Sequence, residues 1–286
     1  MKFAIVTDST CDLTAQELSN LDVKRVPLYV SFKGETHRDW LEITPKEIIE
    51  GVQAGADLPT TSQPSPQDFE AAFEEAVAAG AQAIVCITIS SDLSGTYQSA
   101  NIAKESAAVP VTLFDSRAAS IGLGEMVKKA ASLRDSGAQP EQVVGSLEAI
   151  RDSNLPMFTV ANLEFLQKGG RIGRASALLG SLLNIKPILS LEEGKIIPLG
   201  RARGNKKALA ELVNQVRKHR ERFPGTLVLN FLHVQDPAAA EQVRTALDQA
   251  GIEYEGGKVY EIGAVVASHV GPGTYGLYMH AEPLGG

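Results

Sequence analysis

Short apolar runs alternate with amphipathic stretches through the first half of the chain. Phe3–Thr7, Val23–Phe32, Ala83–Ile89 and Val111–Phe114 are apolar and rich in β-branched residues, which predicts strands. Helices are expected between them. Thr44 precedes Pro45, with Glu47 three residues on, the pattern of a capping box. Ser65-Pro66 opens a second helix whose apolar face runs through Phe69, Ala72, Phe73, Ala76 and Val77, with Gly80 at its end. Val143, Val144, Leu147 and Ile150 stripe a third. Strand-helix alternation of this kind predicts a mainly parallel sheet flanked by helices.

The second half reads differently. Met157–Val160 predicts a strand and Ser176–Leu183 a helix. Ile185–Leu191 and Lys195–Leu199 predict a hairpin turning at Glu193-Gly194. Ala208, Leu209, Leu212, Val213 and Val216 stripe a long helix; Leu227–Phe231 is a strand, and Asp236-Pro237 to Gly251 a capped helix. Tyr260–Val266 and Tyr275–His280 are the last elements. The fold class is therefore α/β in two domains, 1–155 and 156–286, with no long linker between them.

Composition narrows the function. Aromatic residues are 6% of the chain, too few for a base-stacking platform, and a net charge of −7 argues against a nucleic-acid surface. Cys11 and Cys86 stand outside any CxxC pair, so neither a zinc knuckle nor a redox motif is expected. The first six residues are too short an apolar run for a signal peptide, and no apolar stretch reaches membrane-spanning length. A cytoplasmic protein is expected.

Ligands of open parallel sheets bind at the carboxyl ends of the strands, and three hydroxyl-rich segments belong there: 7–12, 60–65 and 90–96. Ser94-Gly95-Thr96 has two readings, a plain helix N-cap or an oxyanion site in which Gly95 lets the ligand reach the backbone. Ser65 is accounted for as a cap, which leaves Thr61 and Ser62 free for a ligand. Asp8 and Asp12 read as turn carboxylates rather than as an acid-base pair or metal ligands. His269 stands beside Gly271 and Gly273, where a cationic or hydrogen-bond-donating imidazole would complete an anion site. The segment 175–185 is apolar or small on nearly every side, so it is either core or the wall of an apolar cavity. No G-x-S-x-G elbow, H-E-x-x-H or phosphate-binding loop is present, and Gly122-Leu123-Gly124 lacks the third glycine of a dinucleotide site.

Taken in order, Thr7 to Leu13, Thr61 to Ser65, Leu93 to Ala100, Asp115-Ser116, Gly122 to Gly124, Leu163 to Lys186 and Gly263 to Gly276 resemble the DegV family of bacterial lipid-binding proteins over essentially the whole chain. The resemblance implies one long-chain fatty acid, such as palmitate, buried between two α/β domains. Its carboxylate is expected at Thr61, Ser62 and Ser94, with the Gly95 amide and His269 nearby. Phe165, Ile172, Leu178 and Leu182 are expected along the acyl tunnel. The resemblance also implies a possible partner, a separate ATP-dependent fatty-acid kinase that phosphorylates the bound acid for phospholipid synthesis. Arg171, Arg201 and Arg203 are the expected partner surface, docking either a kinase or, transiently, a membrane. No metal or cofactor is expected. Two other readings stand beside this one: a serine-dependent acyl hydrolase using Ser94 or Ser62 with His269, and a non-catalytic interaction protein.

Overall fold

In the computed structural model of the chain the described residues are 2–180 and 185–282. The first half opens with β1 (Phe3–Asp8), α1 (Ala15–Asn20) and β2 (Val23–Val26). Next come β3 (Tyr29–Phe32), β4 (Glu35–Arg38), α2 (Pro45–Gln53), β5 (Thr60–Ser62) and α3 (Pro66–Ala78). It closes with β6 (Ala83–Thr88), α4 (Thr96–Lys104), β7 (Val111–Asp115), α5 (Ile121–Asp135) and α6 (Pro140–Ser153). Strands β2-β1-β6-β7 form a sheet in that order, every pair parallel. Parallel pairing puts the carboxyl ends of all four on one edge. The caps read from sequence are formed: Thr44 and Glu47 bond reciprocally before α2, and Ser65 and Asp68 do so before α3.

The run Val23–Phe32 is not one strand. Pro27 divides it, since proline has no N–H for a ladder. β2 stays in the parallel sheet, whereas β3 joins a small antiparallel sheet of order β4-β3-β5. Leu28, just past the break, donates its N–H to Ser9 Oγ at 3.0 Å. Residues 60–62, expected as loop, are the strand β5, with Thr61 opposite Val30.

The second half contains β8 (Leu155–Thr159), α7 (Glu164–Lys168), β9 (Ile185–Glu192), β10 (Lys195–Arg203) and α8 (Asn205–Arg222). It ends with β11 (Thr226–His233), α9 (Pro237–Gln249), β12 (Glu255–Glu261), α10 (Ala264–Val270) and β13 (Tyr275–Glu282). The sheet order is β10-β9-β8-β13-β11-β12, antiparallel except for the parallel pair β11-β12. Glu193 and Gly194, both at positive φ, turn the β9–β10 hairpin as expected.

Three expectations change here. Of the helix expected over Ser176–Leu183, residues 181–183 lie outside the described residues, and 176–178 belong instead to a 3-10 turn, 173–178. Leu179 is extended behind it, and Gly173 and Gly180 take positive φ on either side. Gly173 has no room for a side chain because the Ile196 carbonyl lies against it. Tyr260–Val266 splits into the end of β12 and the start of α10, so His269 stands on a helix. β10 runs on past Leu199 through a bulge between Pro198 and Gly200, which places Arg201 and Arg203 within the strand.

The two sheets share one core. Val85 and Ile87 of β6 belong to the same buried cluster as Leu189 of β9, Ile196 of β10, Leu232 of β11 and Val265 of α10. Among the described residues no helix is long and apolar enough to cross a membrane.

Candidate functional site

The carboxyl-end edge of the parallel sheet faces the mixed sheet, and a cavity of about 100 Å³ lies between them. One water molecule needs roughly 10–15 Å³ on the same measure, so this is no packing defect. Its walls are mainly aliphatic. Ile89 and Leu93 come from the parallel side, Leu191 and Ile196 from the β9–β10 hairpin, and Val265 and Val270 from α10. Eight polar residues join the lining: Thr61, Ser62, Gln63, Ser94, Ser120, Arg171, His269 and Thr274.

Hydrogen bonds gather these polar groups. Thr61 Oγ1 lies 2.7 Å from His269 Nε2, linking β5 to α10 across 208 residues of sequence. Arg171 donates through Nε to the Leu93 carbonyl (3.0 Å) and through Nη1 to Gly169 O (2.7 Å), which fixes its guanidinium beside the turn that carries Ser94. Gly169 also admits the imidazole, since a side chain there would overlap His269 Nδ1. Burial, with Arg171 nearby, pushes His269 down to about 4. The imidazole is therefore neutral at pH 7, and the cationic alternative is not the one found. The fixed positive charge of the site is Arg171.

Ser94 is not a plain N-cap. The cap of α4 is Gly95, which makes no side-chain bond, while Ser94 Oγ contacts Thr96 Oγ1 at 2.8 Å and accepts the Thr96 N–H at 3.3 Å. Gly95 itself lies under the Gln63 amide, and a Cβ on it would stand 2.8 Å from Gln63 Nε2. The glycine thus makes room for Gln63 rather than opening its own backbone to the cavity.

The remaining expected residues divide. Arg171, read as partner surface, belongs to the cavity wall. Arg201 and Arg203 are exposed on β10. Phe165 is buried against Gly271, and its neighbour Leu166 takes the place on the wall. Ile172 and Leu178 pack on the shared core, with the wall formed by other side chains, because the 3-10 turn directs this segment differently from a helix. Leu182 lies outside the described residues. Gln63 was overlooked, although it sits inside the hydroxyl-rich run 60–65. Arg171 had a usable signal in the two glycines before it.

Three fully buried carboxylates lie between this edge and α10. Asp8 accepts from Thr10 and from the Ile89 N–H at 2.7 Å. Asp12 accepts from Ser120 Oγ and from the Trp40 indole at 3.3 Å, and packs against Gly263. Asp39 accepts from Ser9 Oγ at 2.7 Å and from the Val265 N–H at 3.3 Å. Desolvation raises Asp8 and Asp39 to about 6 and Asp12 well above the usual carboxylate range. Asp8 thus caps its own turn at Thr10 and also holds Ile89, 81 residues away, whereas Asp12 holds Ser120, 108 residues away. Trp40 adopts φ +64°, rare for a bulky residue, and its indole covers Gly263.

A family model described as uncharacterised protein, DegV family, matches residues 2–282. A DegV domain-containing protein of Deinococcus radiodurans is 42% identical over 284 residues, covering 99% of each chain. A solved structure from Thermus thermophilus, called a fatty-acid-binding DegV family protein, is similar at TM-score 0.95 and 45% identity, covering 99% of this chain and 100% of its own. A stearic-acid-binding protein from Eubacterium ventriosum is similar at TM-score 0.87 and 28% identity, with 98% of each chain covered.

Proposed function

The chain belongs to the DegV family, and from that premise we propose that it binds one long-chain fatty acid, such as palmitate, between domains 1–155 and 156–286. The carboxylate lies among Thr61, Ser62, Ser94 and His269, with Gln63 and Arg171 as further donors, and the tail occupies the aliphatic cavity. The observation that carries this reading is the Thr61–His269 bond beside Arg171 in a cavity whose other walls are mostly aliphatic. The ligands of the Thermus thermophilus and Eubacterium ventriosum relatives support it.

The energetics agree. A 16-carbon tail at about 0.8 kcal/mol per buried CH₂ supplies on the order of 10 kcal/mol of gross driving force, part of which binding entropy offsets. A buried carboxylate costs several kcal/mol unless it is paired and hydrogen-bonded. Hydroxyls, an amide and one guanidinium meet that requirement.

The reading extends to presentation of the acid to a separate ATP-dependent kinase. A carboxylate oxygen attacks the γ-phosphorus, the bond to the β-phosphate oxygen breaks, and acyl phosphate and ADP leave. Arg201 and Arg203 are the exposed candidates for docking that kinase, and the setting is the cytoplasm with at most transient membrane contact. A serine hydrolase is disfavoured because Ser94 is bonded to Thr96 and His269 to Thr61, so neither serine has an activating base. A pure interaction protein has no use for the cavity.

Mass spectra under native and then denaturing conditions test the proposal. The expected result is a mass excess of one C14–C18 acid, lost on unfolding. Protein that carries none and takes up neither C16 nor C18 acid overturns it.

A further inference from the structure

His269 is the one polar wall residue that α10 supplies, so its position depends on where that short helix begins. The helix start is held by side chains of the first half. Gly263, its N-cap, makes no side-chain cap bond of its own. The Val265 N–H donates to Asp39, one of the orphan donors that every helix start leaves, and Asp12 packs against the Gly263 backbone beside it. Each carboxylate is anchored in turn, Asp12 by Ser120 and Trp40, Asp39 by Ser9, whose oxygen also takes the Leu28 N–H. Gly263 is the residue that fits, because a side chain there would run into both Asp12 and Trp40. The helix is tied to the first half at its other end too, by the His269–Thr61 bond.

We infer that Asp12 and Asp39 are positioning residues: they fix the start of α10 against the parallel sheet and thereby set His269 against Thr61. A rigid segment of seven residues held at both ends gives the imidazole one location. If the start is released, the Thr61 bond is the remaining tie, and the donors of the site lose their common geometry. Neither aspartate lines the cavity, but Asp12 also holds Ser120 of the wall, so the test falls on Asp39, whose effect on a ligand passes through α10 and His269.

The ligand readout rests on the fatty-acid reading; a second readout does not. Asp39→Ala is expected to weaken hexadecanoic acid binding about tenfold while leaving 1-hexadecanol, which has the same tail and no carboxylate, within about twofold. Asp39→Asn keeps an oxygen for the Val265 N–H and should restore acid binding to within about threefold of the parent. By NMR, the His269 imidazole should titrate near 4 in the parent and move toward 6.5 in Asp39→Ala, as the ring leaves Thr61 and its buried place beside Arg171. If Asp39→Ala fails to fold, Ser9→Ala removes the bond that aims Asp39, together with the one that Ser9 accepts from the Leu28 N–H, and should move both readouts in the same direction. Equal loss of acid and alcohol, an Asn variant as impaired as Ala, or an unmoved His269 titration overturns the inference. If the parent binds neither acid nor alcohol, the fatty-acid reading fails and the His269 titration still decides the positioning role.

Discussion

The two faces of the β9–β10 hairpin look onto different worlds. On the front, Ile196 lines the cavity between the sheets. On the back, Ser190, Ile197 and Leu199 line a second space of about 440 Å³ that also holds Arg117, Arg151, Lys218 and Arg222 beside Asp152, Glu192 and Glu193. Successive strand residues point to opposite faces, so one hairpin builds both environments from neighbouring side chains. The second space is the larger, yet its polar rim must be dehydrated before an apolar tail gains anything there. The cavity is smaller, but each methylene that enters it leaves water for aliphatic contact. Wall chemistry, more than volume, marks the proposed lipid site.

The sharpest way to break that contrast is to exchange the two faces. Ile196→Glu should lower C16-acid affinity by about 1,000-fold or more, roughly 4 kcal/mol, whereas Ile197→Glu should leave it within about threefold. Titration calorimetry on variants that still unfold cooperatively reads the difference, and equal losses would erase the distinction between the faces.

Acid provides the next test. His269 lies near 4 in the folded chain against an ordinary 6.5, so the unfolded chain binds its proton more readily. Its contribution is complete above pH 6.5 and is lost as pH falls toward 4, on the order of 3 kcal/mol. Asp8 and Asp39, raised to about 6, act oppositely and favour the folded state increasingly as pH falls from 6 toward 3.8. Comparing His269→Gln with the parent isolates the histidine. The variant's urea midpoint should rise relative to the parent's as pH drops from 6.5 to 4.

Smaller effects follow on the polar groups. Arg171→Met should cost about 1.5–3 kcal/mol of acid binding, the scale of a charge-assisted hydrogen bond, with Arg222→Met in the second space silent. Thr61→Ala and Ser94→Ala should cost roughly 1–3 kcal/mol each, and unchanged affinity in both would remove them from the site. Least affected is the exposed pair. Arg201→Glu with Arg203→Glu should shift stability by no more than about 0.5 kcal/mol and leave acid binding intact.

Much of the first half was legible because its signals are local. Thr44 with Glu47 and Ser65 with Asp68 mark helix starts within four residues, and Glu193-Gly194 marks its turn. Thr61 and His269 were chosen separately as ligand groups, and the fold brings them to 2.7 Å. The failures came where distant contacts decide. Tyr260–Val266 is rich in β-branched residues that favour strand locally, yet Asp12, Asp39 and Trp40 fix a helix start at Gly263 within it. Ser176 was expected to open a helix, but the backbone just before it must pass close to Ile196, which Gly173 allows in a positive-φ conformation unsuited to an α-helix. Arg171 read as surface because the Leu93 carbonyl it binds lies 78 residues away. Pro27 was a local signal that the continuous apolar character of Val23–Phe32 concealed.

Trp40 is the chain's only tryptophan, and it rests on the Gly263 end of α10 with its indole N–H on Asp12. The protein therefore carries a single intrinsic fluorophore at the seam where its first half grips the helix of His269. Loosening that grip exposes the indole to water and shifts its emission to the red, free of background from any second tryptophan. The opening and closing of the seam can be timed in unlabelled protein, in the same cuvette in which an acyl ligand is added.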